Sequence, residues 1–341
     1  MVSRFCSSKN TPGTWKSRKH YVNHFQTIAD ANFRRRRSKQ DCDLMENHIN
    51  IFDRTAVRLH RDRAAPHMDR HDFLLREVGK RLADRLENIK RKFQHTLDLG
   101  CHRGELSKIL AQREDIKWIV NCDLSFLMAS LSPKPRLVAD EESLPFQNNC
   151  FDMVTSLLSL HWVNDLPSAL VEVARCLKPD GLFLAAMFGV ETLAELRHSL
   201  LEAEETIFGR VYPRVSPFVL PRDVGGLLQR AGFAMPVVDT EQITVTYPNT
   251  LALMEELRGM GEGNATQGRP RHFTARSVLQ RAAQLYPADT NNSDGRIAAH
   301  FQIVYLAAWG KHKSQPRPLT PGSAKKHLSD ILSYDLFSLK L

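Results

Sequence analysis

The stretch Thr96-Leu97-Asp98-Leu99-Gly100-Cys101-His102-Arg103-Gly104 restricts the fold of this chain more than any other. The segment His95 to Leu99, expected as a strand, stops at a glycine and passes at once into the helical spacing of Leu106 to Leu110. A strand that turns on glycine straight into a helix is half of a parallel crossover, because parallel neighbours need a long connection and a helix supplies it. Ahead of it, Leu74, Val78, Leu82, Leu86 and Ile89 recur every three or four positions, which predicts an amphipathic helix over 73–89. Further strands are expected at 118–122, 136–138, 153–158, 182–187, 243–247 and 301–309. The alternation predicts an α/β fold with a seven-stranded, mostly parallel sheet and helices on both faces. The last strand follows a long excursion and can run antiparallel.

Two helical insertions are expected, one at 190–235 carrying Leu193, Leu196, Leu200 and Leu201, the other at 250–290 broken by Gly259, Gly261 and Gly263. Either they cover the mouth of a ligand crevice or they pack sideways as additional core. The organisation expected is one domain over 47–310, preceded by a basic segment over 1–46 and followed by a mobile, basic, Pro-rich tail over 311–341.

Charge bears on what the chain can bind. Residues 1–40 carry ten Lys or Arg and one acid, Asp30, which leaves 37 basic and 37 acidic residues in the remainder. A neutral body argues against a nucleic-acid partner, whose footprint would lie on the folded domain. The Arg- and Ser-rich, acid-poor front is the composition of a mitochondrial transit peptide, while the Arg34 to Arg37 run also suits a disordered basic arm. No apolar run reaches the length of a membrane span; Leu182 to Val190 is too short and contains a glycine. The six cysteines, at positions 6, 42, 101, 122, 150 and 176, show no metal-ligand spacing, read as reduced packing residues, and no metal site is expected.

Ligands of such sheets bind at the carboxyl edge, where the first glycine turn meets the following helix. Gly100 and Gly104 suit that turn, since a residue without Cβ takes positive φ and lets a ligand approach the backbone. Asp98 can bind a ligand amino group indirectly or through water. Asp123, just past the second strand, is placed to accept hydrogen bonds from ribose hydroxyls, or it serves only as a helix N-cap. Asp140 and Glu141, in Ala139-Asp140-Glu141-Glu142-Ser143, follow the third strand and can read an adenine amino group, or they form a solvated acidic turn.

The order of glycine turn, acid and acid, followed by Leu177-Lys178-Pro179-Asp180-Gly181, resembles the Rossmann-like class I methyltransferase family, which implies S-adenosylmethionine as cofactor. A closer resemblance covers most of 50–323. Asn50-Ile51-Phe52-Asp53-Arg54, Asp140-Glu141-Glu142, Ser159 to Pro167, Ala186-Met187-Phe188-Gly189, Arg230-Ala231-Gly232-Phe233, Gly259-Met260-Gly261-Glu262 and Ser314 to Pro318 are similar to the mitochondrial complex I assembly factor 5 family. That resemblance implies a protein-arginine hydroxylase on the matrix side of the inner membrane, peripherally associated. It also implies as partners an iron-sulfur subunit of the complex I quinone-binding module and other assembly factors. A weaker resemblance is to malonyl-carrier-protein O-methyltransferases. One position departs from the family pattern: His102 stands where the cofactor turn has a central glycine. Positive φ there costs roughly 1–2 kcal/mol, and the ring takes space that the amino-acid end of the cofactor would need.

Methyl transfer asks little beyond alignment and sometimes a base, whereas hydroxylating an unreactive carbon requires activated oxygen, normally through a metal, flavin or haem. The triplets His60-Arg61-Asp62 and His67-Met68-Asp69 could supply two arms of an iron site, but such triplets arise readily among fourteen histidines. His161 and Trp162, beyond the fourth strand, are the candidates to contact substrate. The chain lacks a Gly-x-Ser-x-Gly elbow, a phosphate loop and a His-Glu-x-x-His pair, which sets aside hydrolase and NTPase chemistry. Three functions compete: a hydroxylase, an S-adenosylmethionine-dependent methyltransferase, and an assembly chaperone that uses the fold only as a surface.

Overall fold

The structure is a computed structural model that describes residues 50–87, 89–287, 295–316 and 322–323. The segment over 1–46 with its transit-peptide reading, Cys6, Cys42 and most of the expected tail therefore lie outside the described residues. The strands are β1 (His95–Leu99), β2 (Trp118–Asp123), β3 (Arg136–Val138), β4 (Phe151–Leu157), β5 (Leu177–Phe188), β6 (Ala234–Tyr247) and β7 (Ile297–Trp309). They form one sheet in the order β3-β2-β1-β4-β5-β7-β6. The first five strands pair in parallel. β7 runs antiparallel to both of its neighbours, β5 and β6. This is the class I methyltransferase arrangement, and the chain reverses its direction of winding between β1 and β4.

The helices are α1 (Arg54–Ala64), α2 (Phe73–Asp84), α3 (Glu105–Leu110), α4 (Phe126–Leu131), α5 (Leu166–Cys176), α6 (Ala194–Phe208), α7 (Pro221–Arg230), α8 (Thr250–Gly259) and α9 (Arg276–Leu285). Short 3-10 turns span Ala65–Arg70 and Leu160–Trp162. β5 shows why two layers of helix are needed. Leu182, Leu184, Ala186 and Phe188 face one core with α2, α3, α6 and α9, while Phe183, Ala185 and Met187 face the other with α5 and α7. A strand buried on both faces reads as a continuous apolar run, which is how Leu182 to Phe188 reads. α2 anchors one layer through Leu74, Val78 and Leu82, all fully buried. Full burial of each stabilises by about 1.5–3 kcal/mol, so Leu82→Ala should cost about 2–5 kcal/mol.

Three differences from expectation have local causes. α2 stops at Asp84, five residues early, and the chain turns there while still burying Leu86. β6 starts at Ala234 rather than 243, since it is the outer strand of the sheet, half-exposed, with a register irregularity between Ala234 and Val237 that spans Pro236. An edge strand with a proline at a bulge carries little apolar signal. The insertion over 190–235 does not stay together: α7 buries Val224 and Leu228 in the α5 core, whereas α6 buries Leu196 and Leu200 in the opposite one.

Candidate functional site

Reversal of winding between β1 and β4 opens a crevice at the carboxyl ends of the strands, the usual ligand position in such sheets. Gly100 turns the chain out of β1 at φ 65°. Asp123 ends β2, Asp140 and Glu141 follow β3, and Ser159 to Trp162 follow β4. The structure brings Asp123, Glu141 and the Gly100 turn together, with Asp140 beside them. Both Asp123 and Glu141 are 0% exposed.

What holds these acids is an arginine pair on α1. Arg61, itself 1% exposed, places Nη1 at 3.3 Å from each oxygen of Asp123 and 3.4 Å from Glu141 Oε1. Its Nη2 donates to Ser159 Oγ at 2.8 Å, and the Ser159 hydroxyl donates to Glu141 Oε1 at 2.8 Å. Arg54 pairs with Glu141 and donates to Asp140 Oδ1 at 2.7 Å. Burial alone would raise the Glu141 carboxyl, but Arg54 and Arg61 outweigh it and hold it at about 2. The same carboxylates push both guanidiniums above their ordinary range against the cost of burial. Two buried acids without these cations would be strongly unfavourable, so α1 and the carboxyl edge form one electrostatic unit.

α1 is placed for this by its own start. Asp53 caps it by accepting from the Ala56 N–H at 3.1 Å and pairs with Arg269 at 2.7 Å. Just before it, the Phe52 N–H donates to Asn164 Oδ1 at 2.7 Å, and Asn164 Nδ2 donates back to the Phe52 carbonyl at 3.1 Å. The Asn164 N–H in turn donates to Glu142 Oε1 at 2.7 Å. Three of the segments singled out in the sequence, Asn50 to Arg54, Asp140 to Glu142 and Ser159 to Pro167, thus meet at one edge of the sheet.

The remaining turn residues lie closer to the sheet. His102 takes φ 50°, with its N–H on Asp123 Oδ2 at 3.0 Å and its ring Nε2 3.0 Å from the Leu157 carbonyl. The ring, 1% exposed, therefore fills the gap between the ends of β1 and β4. Asp98 Oδ1 accepts from the Thr155 hydroxyl at 3.2 Å and lies apart from the arginine pair; burial pushes its carboxyl up to about 7. Gly104, at φ 81°, is pressed against Pro133, where a Cβ would come within 2.4 Å of Cδ.

His161 and Trp162, the substrate-contact candidates, share one partner that sequence reading missed. Glu262 Oε2 lies 3.0 Å from His161 Nε2 and accepts from Trp162 Nε1 at 3.0 Å. His161 Nδ1 is buried and has no hydrogen-bond partner. The rings of Phe188 and Phe218 stand 4.7 and 5.6 Å from His161 by centroid, giving an aromatic wall around the imidazole. The Glu262 side chain is 8% exposed; burial raises its carboxyl, and His161 with Arg61 more than offsets this, leaving it below the usual range. It sits after Gly261, at φ 82°, so the Gly259 to Glu262 turn noted in the sequence carries the residue that reaches the site.

The two His-x-Asp triplets are engaged otherwise. His60 Nδ1 is 3.1 Å from the Gly263 carbonyl, Asp62 accepts from the Ser125 hydroxyl at 2.5 Å, and Asp69 pairs with Arg103 at 3.4 Å. Among the described residues no group of three His, Cys, Asp or Glu side chains is gathered as metal ligands.

The nucleoside cofactor implied by the fold does not fit the crevice in this conformation. A Cβ added at Gly100 would meet Ser159 Oγ at 2.0 Å, so the close approach that glycine permits is taken by this chain's own serine. Both acids that could grip ribose and adenine are already satisfied by Arg61 and Arg54.

Comparison with known proteins agrees with the fold and narrows the lineage. Residues 97–185 match the model of a methyltransferase domain. The chain is 44% identical over 300 residues to "Arginine-hydroxylase NDUFAF5, mitochondrial" of Mus musculus, covering 84% of this chain and 87% of that protein. Against the Homo sapiens protein of the same name it is 45% identical over 290 residues, 83% of this chain and 84% of that one. It is also 36% identical over 288 residues to a malonyl-[acyl-carrier protein] O-methyltransferase of Halorhodospira halophila, covering 82% and 96%.

Proposed function

Because the chain belongs to the arginine-hydroxylase NDUFAF5 family, we propose that it adds one oxygen atom to an arginine side chain of a partner protein in mitochondria. The partner is an iron-sulfur subunit of the quinone-binding module of complex I, modified on the matrix side during early assembly together with other assembly factors. Association with the membrane is peripheral; among the described residues no helix is long and apolar enough to cross one. The observation that carries the reading is identity of 44 to 45% over more than four fifths of the chain to relatives named for that activity.

The site supports a guanidinium as the group received. His161, whose buried Nδ1 has no hydrogen-bond partner, and the rings of Trp162, Phe188 and Phe218 would receive it once the residues covering them move, with Glu262 holding the imidazole. S-adenosylmethionine belongs to this proposal only as a ligand of the carboxyl edge, with Asp123, Asp140 and Glu141 as its acceptors once they are released, and no step of the oxygenation is assigned to it. The 36% identity to a malonyl-carrier-protein methyltransferase favours a second reading, methyl transfer on the same fold.

Mass spectrometry of the subunit from cells lacking this protein separates them. The hydroxylase reading predicts that one arginine loses its added oxygen. An arginine still oxygenated in those cells rules the reading out, and a missing methyl group in its place establishes the second.

A further inference from the structure

We propose that Arg61 is the residue that decides what enters the cofactor position: its guanidinium occupies the place of the nucleoside, and S-adenosyl compounds bind only by displacing it together with α1. The inference rests on the reading of the carboxyl edge as a cofactor site and goes beyond it by naming a competitor supplied by the chain itself. Four observations carry it. Arg61 touches groups at the ends of three different strands, Asp123 at the end of β2, Glu141 after β3 and Ser159 after β4, so it bridges the crevice rather than lining one wall. It is 1% exposed, which makes it an occupant of the interior and not a surface neighbour.

Its partners leave no acceptor of Asp123 for a ribose: Oδ1 also takes the Ser125 N–H at 2.8 Å, and Oδ2 the His102 N–H at 3.0 Å. Ser159, held by Arg61 and Glu141, lies over Gly100 where a ligand would approach the backbone. The four cannot be removed one at a time. A ribose needs the Asp123 oxygens, and freeing them takes from the buried Arg61 guanidinium one of the carboxylates that offset its burial, while Glu141 and Ser159 still hold it in the crevice unless the helix that carries it also moves. Displacement of Arg61 is therefore a displacement of α1. Arg54, about two helix turns earlier, adds its grip on Asp140 and Glu141 to the same element.

The test uses the full chain and S-adenosylhomocysteine. Calorimetric titration should show the Arg61→Ala protein binding at least tenfold more tightly than wild type. Hydrogen exchange of wild-type protein at saturating S-adenosylhomocysteine should show the amides of 54–64 losing protection while those of β5 keep theirs. Equal affinity of the two proteins overturns the proposal, as does failure of both to bind. If the alanine variant does not fold, the wild-type exchange decides alone, and unchanged protection of 54–64 overturns it. The oxygenation reading is judged by product mass, so it stands or falls independently of this outcome.

Discussion

Asp98 carries the charge that this fold tolerates least. Burial is the main reason its carboxyl moves up to about 7, and the Thr155 hydroxyl only partly opposes it. In the unfolded chain the group ionises near pH 4, so the folded form keeps a proton that the unfolded form has lost between about 4 and 7, and stability falls as pH rises through that window. Asp98→Asn removes the ionisation; its unfolding free energy from urea titration should fall less than that of wild type between pH 5 and 8, by a difference of a few kcal/mol at about 1.4 kcal/mol per pH unit. Parallel pH profiles would show that Asp98 is not the source. At Glu262, one carboxylate oxygen satisfies two buried donors, His161 Nε2 and Trp162 Nε1. Each donor left without an acceptor costs about 1–3 kcal/mol, so Glu262→Ala should lose roughly 2–5 kcal/mol in a denaturant series, while Glu262→Gln, which keeps an acceptor oxygen, should lose clearly less. Equal losses would mean that the hydrogen bonds contribute nothing.

At the scale of elements, α1 is attached through charge as well as through the buried Ala56, Val57 and Ala64. Glu141 is held at about 2 and Glu262 below its ordinary range, both by cations that include Arg61. Carboxyls depressed in this way contribute stability that is complete above their unfolded values, near 4.5, and is lost as pH falls toward about 2. Acid should therefore release α1 before it unfolds the sheet: amides of 54–64 should lose protection by pH 3 while those of β5 remain protected. Simultaneous loss in both segments would contradict this. Of the strands flanking the crevice, β5 was legible because it is buried on both faces and reads as an apolar run, whereas β1, with His95, Thr96 and Asp98 among its residues, was legible from the glycine turn and helical spacing that follow it. β6 was legible only in its second half, since half-exposed positions and Pro236 mask the pattern at its start. The attachment of α1 left no local signal at all: Arg61 and Asp123 lie 62 positions apart, and an arginine on a helix full of arginines looks like a solvated face.

For the whole molecule, the separate segments that marked the lineage turn out to be one structure. Asn50 to Arg54, Asp140 to Glu142, Ser159 to Pro167 and Gly259 to Glu262 converge on the carboxyl edge, which explains why residues so far apart in the chain share a site. Asp123, Asp140 and Glu141 could be placed there from strand ends alone. Glu262 could not, because 101 positions separate it from His161 and no periodicity links an insertion to the end of β4. The reading of this edge as the place where arginine is oxygenated is tested most directly by complementation. In cells lacking the protein, wild-type chain or the His161→Phe variant is restored to equal abundance, and the arginine-containing peptide of the complex I subunit is weighed. Wild type should return the added oxygen, and the variant, which keeps an aromatic ring but no Nδ1, should leave most of the arginine unmodified. Full oxygenation with His161→Phe, or none with wild type, would contradict the account.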